Sequence, residues 1–512
     1  MSDFILSIDQ GTTGSTVLII DVTEKTQPKV IGRHTTDFKQ HYPKSGWVEH
    51  DLNEIWESVR TSAIKAIESA NQSSSAFEVS KIKALGITNQ RETLCVYDRK
   101  SLNPLHNAIV WQCRRSADIC TRLKESGLEN EFKEKTGLVL DPYFSGTKLA
   151  WLCENVDGIR EKLSSGEAIA GTIDTFLISK LTSGEAHVTE ASNASRTLLY
   201  NIHTGDWDDS LLSHLNLDVK KALPKVMDSS CEFGSTKGTG FVPDGIMISG
   251  VLGDQQAALV GQACFEKGEA KCTYGTGAFM LVNTGDTPLR SDFGLLTTIA
   301  WQLGGKRIYA LEGASFIAGA GIQFVRDQLS FLDDSKDSEK MSEGVSASPE
   351  VYFVPALAGL GSPHWNPHAR GAFLGLTRGT SKEQLVRSVL EGIAFSVGEL
   401  AFSMESDMNE KLSVLRVDGG ASANNLLMQF QSDILNSPLD RPKNLETTAF
   451  GAAMFAALGC GVYSSLEELK LSRENDKMFE TKMNASERNN HLDGWNRAVG
   501  AVKFFSKGSA DS

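Results

Sequence analysis

Three short stretches of this 512-residue chain place glycines and hydroxyl side chains directly after β-rich runs: Asp9-Gln-Gly-Thr-Thr-Gly-Ser15, Tyr274-Gly-Thr-Gly277 and Asp418-Gly-Gly-Ala-Ser-Ala-Asn424. Glycine lets a backbone approach an anion closely, and threonine adds hydroxyl donors to the amides. A helix starting just after such a turn contributes the positive end of its dipole. One such turn alone is an ordinary corner. Three together, two of them opened by an aspartate, predict a cradle for phosphate groups. Asp254 stands where the run Ile248–Gly253 gives way to a helical pattern. A carboxylate there either accepts the proton of an attacking hydroxyl or caps the helix. Asp9, at the end of the first β-rich run, either holds Mg²⁺ through water or shapes its turn.

Other nucleotide and metal patterns are absent. There is no GxxxxGK[ST] string, and the Gly-x-Gly triplets starting at 238, 275, 319, 359 and 459 lack the later glycine of a dinucleotide fingerprint. His364 and His368 have ligand-like spacing, but Pro367 between them breaks the helix such a site needs, so they are read as structural or surface groups.

The elements that must position these residues follow from hydrophobic period. Phe4–Ile8 and Val17–Val22 read as a hairpin around the first turn, and Lys271–Asn283 as a second one around Gly275-Thr-Gly277. This likeness hints at two related halves. Helical spacing runs over Asp51–Ala70 and over Ser381–Met404, where Ser381 and Gln384 fit a capping box. Ile82–Ile87 and Leu412–Val417 read as strands, with a helix following the latter as far as Ile434. The small residues of Gly451–Ala457 predict a helix packed closely against its neighbours. Leu332–Glu350, rich in Ser, Asp, Glu and Lys, reads as a mobile surface excursion, and the tail from Ser506 as frayed.

Composition narrows the class. With 40% hydrophobic and 22% charged residues the chain has the balance of a soluble globular protein, and its length calls for two or three domains. A net charge of −13 without a basic stripe argues against nucleic acid as a partner. The eight cysteines include no CxxC pair and read as reduced, mostly buried thiols of a cytoplasmic protein. The most apolar window, Ile246–Cys264, is interrupted by Asp254, Gln255 and Gln256, so no membrane insertion is expected.

Longer strings carry more than spacing does. They include Gly46-Trp-Val-Glu-His-Asp51, Gly86-Ile-Thr-Asn-Gln-Arg-Glu-Thr93, Ile109-Val-Trp-Gln-Cys-Arg-Arg115 and Asp141-Pro-Tyr-Phe-Ser-Gly-Thr-Lys148. Gly253-Asp-Gln-Gln-Ala-Ala258, Gly371–Gly379 and Arg416-Val-Asp-Gly-Gly-Ala421 continue the series. Through them the chain, from Asp9 to about residue 470, resembles the FGGY family of carbohydrate kinases, and within it the members acting on glycerol.

The resemblance implies an α/β, two-domain fold of the actin/hexokinase/Hsp70 (ribonuclease H-like) type with its active site in the interdomain cleft. Residues 1–253 would carry the polyol site and first phosphate loop, and 254–512 the catalytic base and ATP site. The implied activity is ATP-dependent phosphorylation of glycerol to sn-glycerol 3-phosphate and ADP, the first step of glycerol catabolism, by a cytoplasmic homodimer or homotetramer using Mg²⁺. Arg91, Glu92, Trp111, Tyr143, Asp254, Gln255 and Phe279 would surround glycerol, with Asp254 as the base and Asp9 in the Mg²⁺ environment. Thr12, Thr13 and Thr276 would contact phosphates, while Gly319, Gln323, Gly420 and Asn424 would line the rest of the ATP site. Such residues suit a triol, which offers hydroxyls to charged and amide groups and a C–H edge to aromatic rings.

The chain also departs from the family. Gly14 stands where serine is usual, and Thr16 where arginine or lysine is usual. Losing that cation predicts weaker ATP handling or a replacement from elsewhere. The loop Ser235–Pro243 lacks the arginine used by bacterial relatives to bind a sugar bisphosphate and the histidine used in a phosphorelay. Neither control is expected, nor is one by the glucose-specific transport protein.

Overall fold

The computed structural model describes residues 3–345 and 350–507. The chain opens with β1 (Phe4–Gln10), β2 (Gly14–Asp21) and β3 (Lys29–Asp37), successive antiparallel partners. Helix α1 (Leu52–Ser73) follows; the Asp51 carboxylate caps it by accepting from Asn53 N, and Ile55, Val59, Ala63, Ala66 and Ala70 form its buried face. Strand β4 (Ile82–Asn89) then pairs parallel with β1. After a long excursion come β5 (Ser230–Ser235) and β6 (Met247–Gly253), completing a six-stranded sheet in the order β5-β6-β4-β1-β2-β3. Its central strands are covered on both faces, which is why they read as nearly unbroken apolar runs rather than alternating ones.

Helix α2 (Asp254–Gly261) leads into the second half. There β7 (Ala270–Tyr274) and β8 (Ala278–Gly285) form the second predicted hairpin, and β9 (Leu296–Leu303) and β10 (Lys306–Ser315) extend it. Helices α3 (Gly319–Asp327), α4 (Asp337–Glu343) and α5 (Lys382–Met408) precede β11 (Leu415–Asp418) and α6 (Asn425–Leu435). Next come β12 (Leu439–Pro442), α7 (Thr447–Gly459) and β13 (Asn475–Phe479). The sheet order is β9-β10-β8-β7-β11-β12-β13, with β7, β11 and β12 parallel. Each half therefore holds a block of antiparallel strands, three in the first and four in the second, with two parallel strands beyond it, the ribonuclease H-like order. The hint of related halves becomes a repeated topology.

Helix α7 returns from the second half to pack on the first sheet. Ser7 Oγ donates to Ala449 O at 2.6 Å, and Ser249 Oγ to Ala456 O at 2.8 Å. Gly451 lies so close to α2 that a Cβ there would run into the Ala257 carbonyl, and a Cβ on Gly261 would meet Thr447. The small residues read in this segment are thus what allows the helices joining the halves to touch backbone to backbone.

The excursion between β4 and β5 builds a core of its own from Phe132, Leu138, Phe144, Leu149 and Leu152, and it supplies Trp111, Tyr143 and Arg196 to the site. Within Leu332–Glu350 the charged residues Asp333, Asp334, Lys336, Asp337, Lys340 and Glu343 are exposed, as expected of a surface excursion. The segment also holds the short helix α4, with Ser338 and Ser342 buried and Ser338 and Glu339 meeting Asn424 and Asn425 at the start of α6. Residues 346–349 of that segment lie outside the described residues, as does the tail beyond Lys507; Ser506 itself closes the helix Ala485–Ser506. All eight cysteines are free thiols, six of them buried. Among the described residues no helix is long and apolar enough to cross a membrane.

Candidate active site

The site begins where β4 runs out. Glu92 adopts a left-handed backbone conformation (φ 59°), a strained turn held by Ser145 Oγ, which donates to its carbonyl at 2.9 Å. This turns the Arg91 and Glu92 side chains into a buried charge cluster. Arg91 Nε lies 3.1 Å from Asp254 Oδ1 and 4.0 Å from Glu92 Oε1. Its Nη1 and Nη2 donate to both oxygens of Glu312, the latter at 3.0 Å, and Nη1 also reaches Gln256 Oε1 at 3.2 Å. Arg196 completes the cluster, with Nε donating to Glu92 Oε1 at 2.6 Å and Nη2 to Glu312 Oε1 at 2.9 Å.

Asp254 is the first residue of α2, with Gly253 at the cap position, and its Oδ1 accepts from Gln255 N at 2.7 Å, so the side chain also satisfies a backbone N–H of the helix start. The same carboxylate lies beside Arg91. Burial lifts its pKa above the ordinary aspartate value, while Arg91 and Lys271 pull the other way. A carboxylate so placed is a stronger base than one in water. Its neighbour Gln255 is held by the buried Lys271, whose Nζ donates to Gln255 Oε1 at 2.5 Å and to Thr273 Oγ1 at 3.0 Å.

Aromatic side chains adjoin the charge cluster. Trp111 and Tyr143 meet edge to face with ring centroids 5.6 Å apart, and Tyr143 meets Phe144 in the same way at 5.0 Å. The Trp111 indole donates from Nε1 to Thr12 Oγ1 at 2.9 Å. Phe279 is half-buried on β8 opposite Thr273, the partner of Lys271.

The first glycine turn is closed by Gly11 N donating to Gly14 O at 2.9 Å and is braced from behind. Gln90 Nε2 donates to Gln10 Oε1 and Gly11 O, and Gln40 Nε2 to Thr12 O. His50 links the two glutamines, and burial holds it neutral by pushing its pKa down to about 4. Thr13 is exposed. In the second half, Thr276 is exposed at the tip of the β7–β8 turn, and its carbonyl accepts from Ala318 N and Ala320 N, fixing the start of α3 and hence Gly319 beside it. Gln323 is exposed one turn further along α3. Gly419 takes φ 85° where a Cβ would meet Tyr274 O at 2.6 Å, which brings Gly420 alongside the same turn. Asn424 caps α6 through Leu427 N and reaches Ser338 on α4.

Asp9 ends β1 between these groups. Burial, then the negative charges of Asp254 and Glu446, push its pKa up to about 8. Thr16 sits directly across the hairpin from Asp9, where its hydroxyl meets Thr35 Oγ1 at 2.9 Å. The charges acting on Asp9 are thus both carboxylates. Among the described residues no three acidic, His or Cys side chains converge as a direct metal cage.

The sequence pattern of the FGGY family of carbohydrate kinases matches this chain twice, its N-terminal domain over residues 4–261 and its C-terminal domain over residues 270–460. The chain belongs to the FGGY family of carbohydrate kinases. This FGGY kinase is 51% identical over 498 residues to a glycerol kinase of Myxococcus xanthus, covering 97% of this chain and 98% of that one. It is 49% identical over 502 residues to a glycerol kinase of Listeria welshimeri, covering 98% and 99%. A crystal structure of Plasmodium falciparum glycerol kinase with ADP superposes with a TM-score of 0.90 at 37% identity over 98% of both chains. Gluconate kinase from Lactobacillus acidophilus shares the fold, with a TM-score of 0.86 at 22% identity over 99% of both chains.

Arg196, Glu312, Gln256 and Lys271 were not legible as parts of the FGGY kinase site. Their signal was charge in the wrong company: Glu312 interrupts Tyr309-Ala-Leu-Glu-Gly-Ala314, and Arg196 closes an uncharged run from Ala191. A charge inside an apolar strand must find a partner when buried.

Proposed function

We infer that this FGGY kinase transfers the γ-phosphoryl group of ATP to glycerol, giving sn-glycerol 3-phosphate and ADP. The observation that carries the reading is the ion pair of Arg91 with Asp254, set between an aromatic wall and the glycine turns. The glycerol kinases that resemble the chain across nearly its whole length support the choice of substrate.

In this reading Arg91, Glu92 and Gln255 hold glycerol hydroxyls, and Trp111, Tyr143 and Phe279 pack against its carbon edge. Asp254 accepts the proton of the attacking hydroxyl as its oxygen bonds to the γ-phosphorus. The bond from that phosphorus to the β–γ bridging oxygen breaks, and ADP leaves with the electron pair. Thr12, Thr13 and Thr276 donate to phosphate oxygens, while Gly319, Gln323, Gly420 and Asn424 line the nucleotide. Helix α4 joins that lining through Asn424. Positioning and charge neutralisation supply most of the rate.

Asp9, half-buried at the end of β1, would hold Mg²⁺ largely through water, since among the described residues no three acidic, His or Cys side chains converge as a direct cage. Mg²⁺ bound with ATP would neutralise charge on the transferring phosphate. The proposed division into 1–253 and 254–512 puts Asp9 and Arg91 on one side and Asp254 on the other, so closure of the halves assembles the site. The free thiols favour the cytoplasm, and the family resemblance favours a homodimer or homotetramer.

Mg-ATP with purified protein and a panel of polyols, read as ADP release, tests the reading. Turnover with glycerol is expected; turnover confined to a longer polyol or ketose would sink it.

A further inference from the structure

Glu312 is a buried carboxylate to which the proposed function gives no ligand contact, yet two arginines converge on it. It projects from β10 of the second half and takes both Nη groups of Arg91, which belongs to the first. Its Oε1 also accepts from Arg196 Nη2 at 2.9 Å. Both arginines and Glu312 are almost fully inaccessible to water. Burial alone would raise the Glu312 carboxyl, but Arg196 and Arg91 hold it below the ordinary range, so it stays charged.

The donor count of Arg91 gives this geometry a purpose. A guanidinium has five N–H groups. Glu312 takes one from each Nη, Gln256 takes the other from Nη1, and Nε faces Asp254. One Nη2 N–H is left for a ligand hydroxyl, and its direction is set by the two-point grip of Glu312. Arg196, held by the same carboxylate, lies with its guanidinium carbon 5.4 Å from the Phe144 ring and 6.0 Å from that of Tyr143, behind the aromatic wall. Filling the space with apolar groups would be the easier route to stability alone.

We propose that Glu312 is a positioning residue for polyol recognition, aiming the remaining Arg91 N–H at a substrate hydroxyl while Arg196 backs the Tyr143 face. This rests on the reading of Arg91 as a polyol contact.

The test is steady-state kinetics of Glu312→Gln, Arg91→Lys and the double variant, with thermal unfolding of each. Glu312→Gln keeps the shape but offers an arginine an amide N–H in place of an oxygen. Its KM for glycerol should rise by about 30-fold, with KM for ATP within about twofold of the parent. In the Arg91→Lys background the same substitution should change KM for glycerol by less than about threefold, since lysine lacks the fork that Glu312 orients. An equal loss in both backgrounds, or a rise in both KM values together, would overturn the proposal and leave Glu312 a structural ion pair. Should Glu312→Gln not fold, Glu312→Asp keeps the charge and shortens only the reach; an unchanged KM for glycerol there also overturns it. A parent enzyme inert toward every polyol refutes the proposed function instead, so the two failures are distinct.

Discussion

Trp111 Nε1 donates a hydrogen bond to Thr12 Oγ1 at 2.9 Å, joining the aromatic wall to the first glycine turn. The two residues stand 99 positions apart. In the proposed reading this single indole N–H links the polyol and phosphate subsites. Trp111→Phe keeps a ring but removes the donor, leaving the Thr12 hydroxyl free to rotate. KM for ATP should rise about fivefold, the worth of one neutral hydrogen bond. An unchanged KM for ATP would mean the turn needs no brace from the pocket.

Asp254→Asn removes the proton acceptor while preserving size. Turnover with glycerol should fall about a thousandfold, the usual worth of a general base. ADP release followed at saturating glycerol and ATP gives the measurement; a loss below tenfold would point to another base.

Thr16→Arg restores a cation directly across the hairpin from Asp9. Residues so paired have Cβ atoms about 5 Å apart, within reach of both Asp9 and a bound phosphate. KM for ATP should drop about threefold to tenfold, with KM for glycerol unaltered. If ATP affinity does not move, a group elsewhere already supplies that charge.

Glu190 is a buried carboxyl pushed up to about 7 by burial, against the hydrogen bonds of Ser192 and Ser229 that favour its ionised form. Ser192 Oγ in turn accepts from Gly253 N at 3.0 Å, next to Asp254. A raised folded-state pKa means the folded protein holds a proton that the unfolded chain releases from 4.5 upward. This contribution to stability is complete below pH 4.5, declines as pH rises towards 7 and is lost above it. The decline is about 3 kcal/mol at most. Glu190→Gln should flatten that part of the pH dependence, read by urea unfolding at pH values across the window; an unaltered slope would assign the dependence to other groups.

Gly451→Ala places a methyl where the Ala257 carbonyl already stands. The gain in helix propensity, about 1 kcal/mol, is outweighed by overpacking, and a net loss of about 1–3 kcal/mol is expected in equilibrium unfolding. Since α2 carries Asp254, turnover should fall as well. Full stability in this variant would show that the helices can part at no cost.

Much of the frame was readable along the chain. Hydrophobic period located both hairpins, the capped helix α5 and the small-residue helix α7, because these depend on neighbours a few positions apart. The short helix α4 inside an otherwise exposed segment was not read, because the contacts of Ser338 and Glu339 with the start of α6 are tertiary and local composition does not reveal them.

The glycine turns with their aspartates are a property of the sequence itself: backbone freedom and hydroxyl donors are local, so phosphate chemistry was legible before any fold was known. The tertiary structure alone decided which charges share a cavity. Arg91, Arg196, Asp254 and Glu312 come from separate elements of both halves, and only their common burial forces them into one network. In water each would be an ordinary solvated charge; away from it, each must be paired, and the pairing sets where Arg91 points.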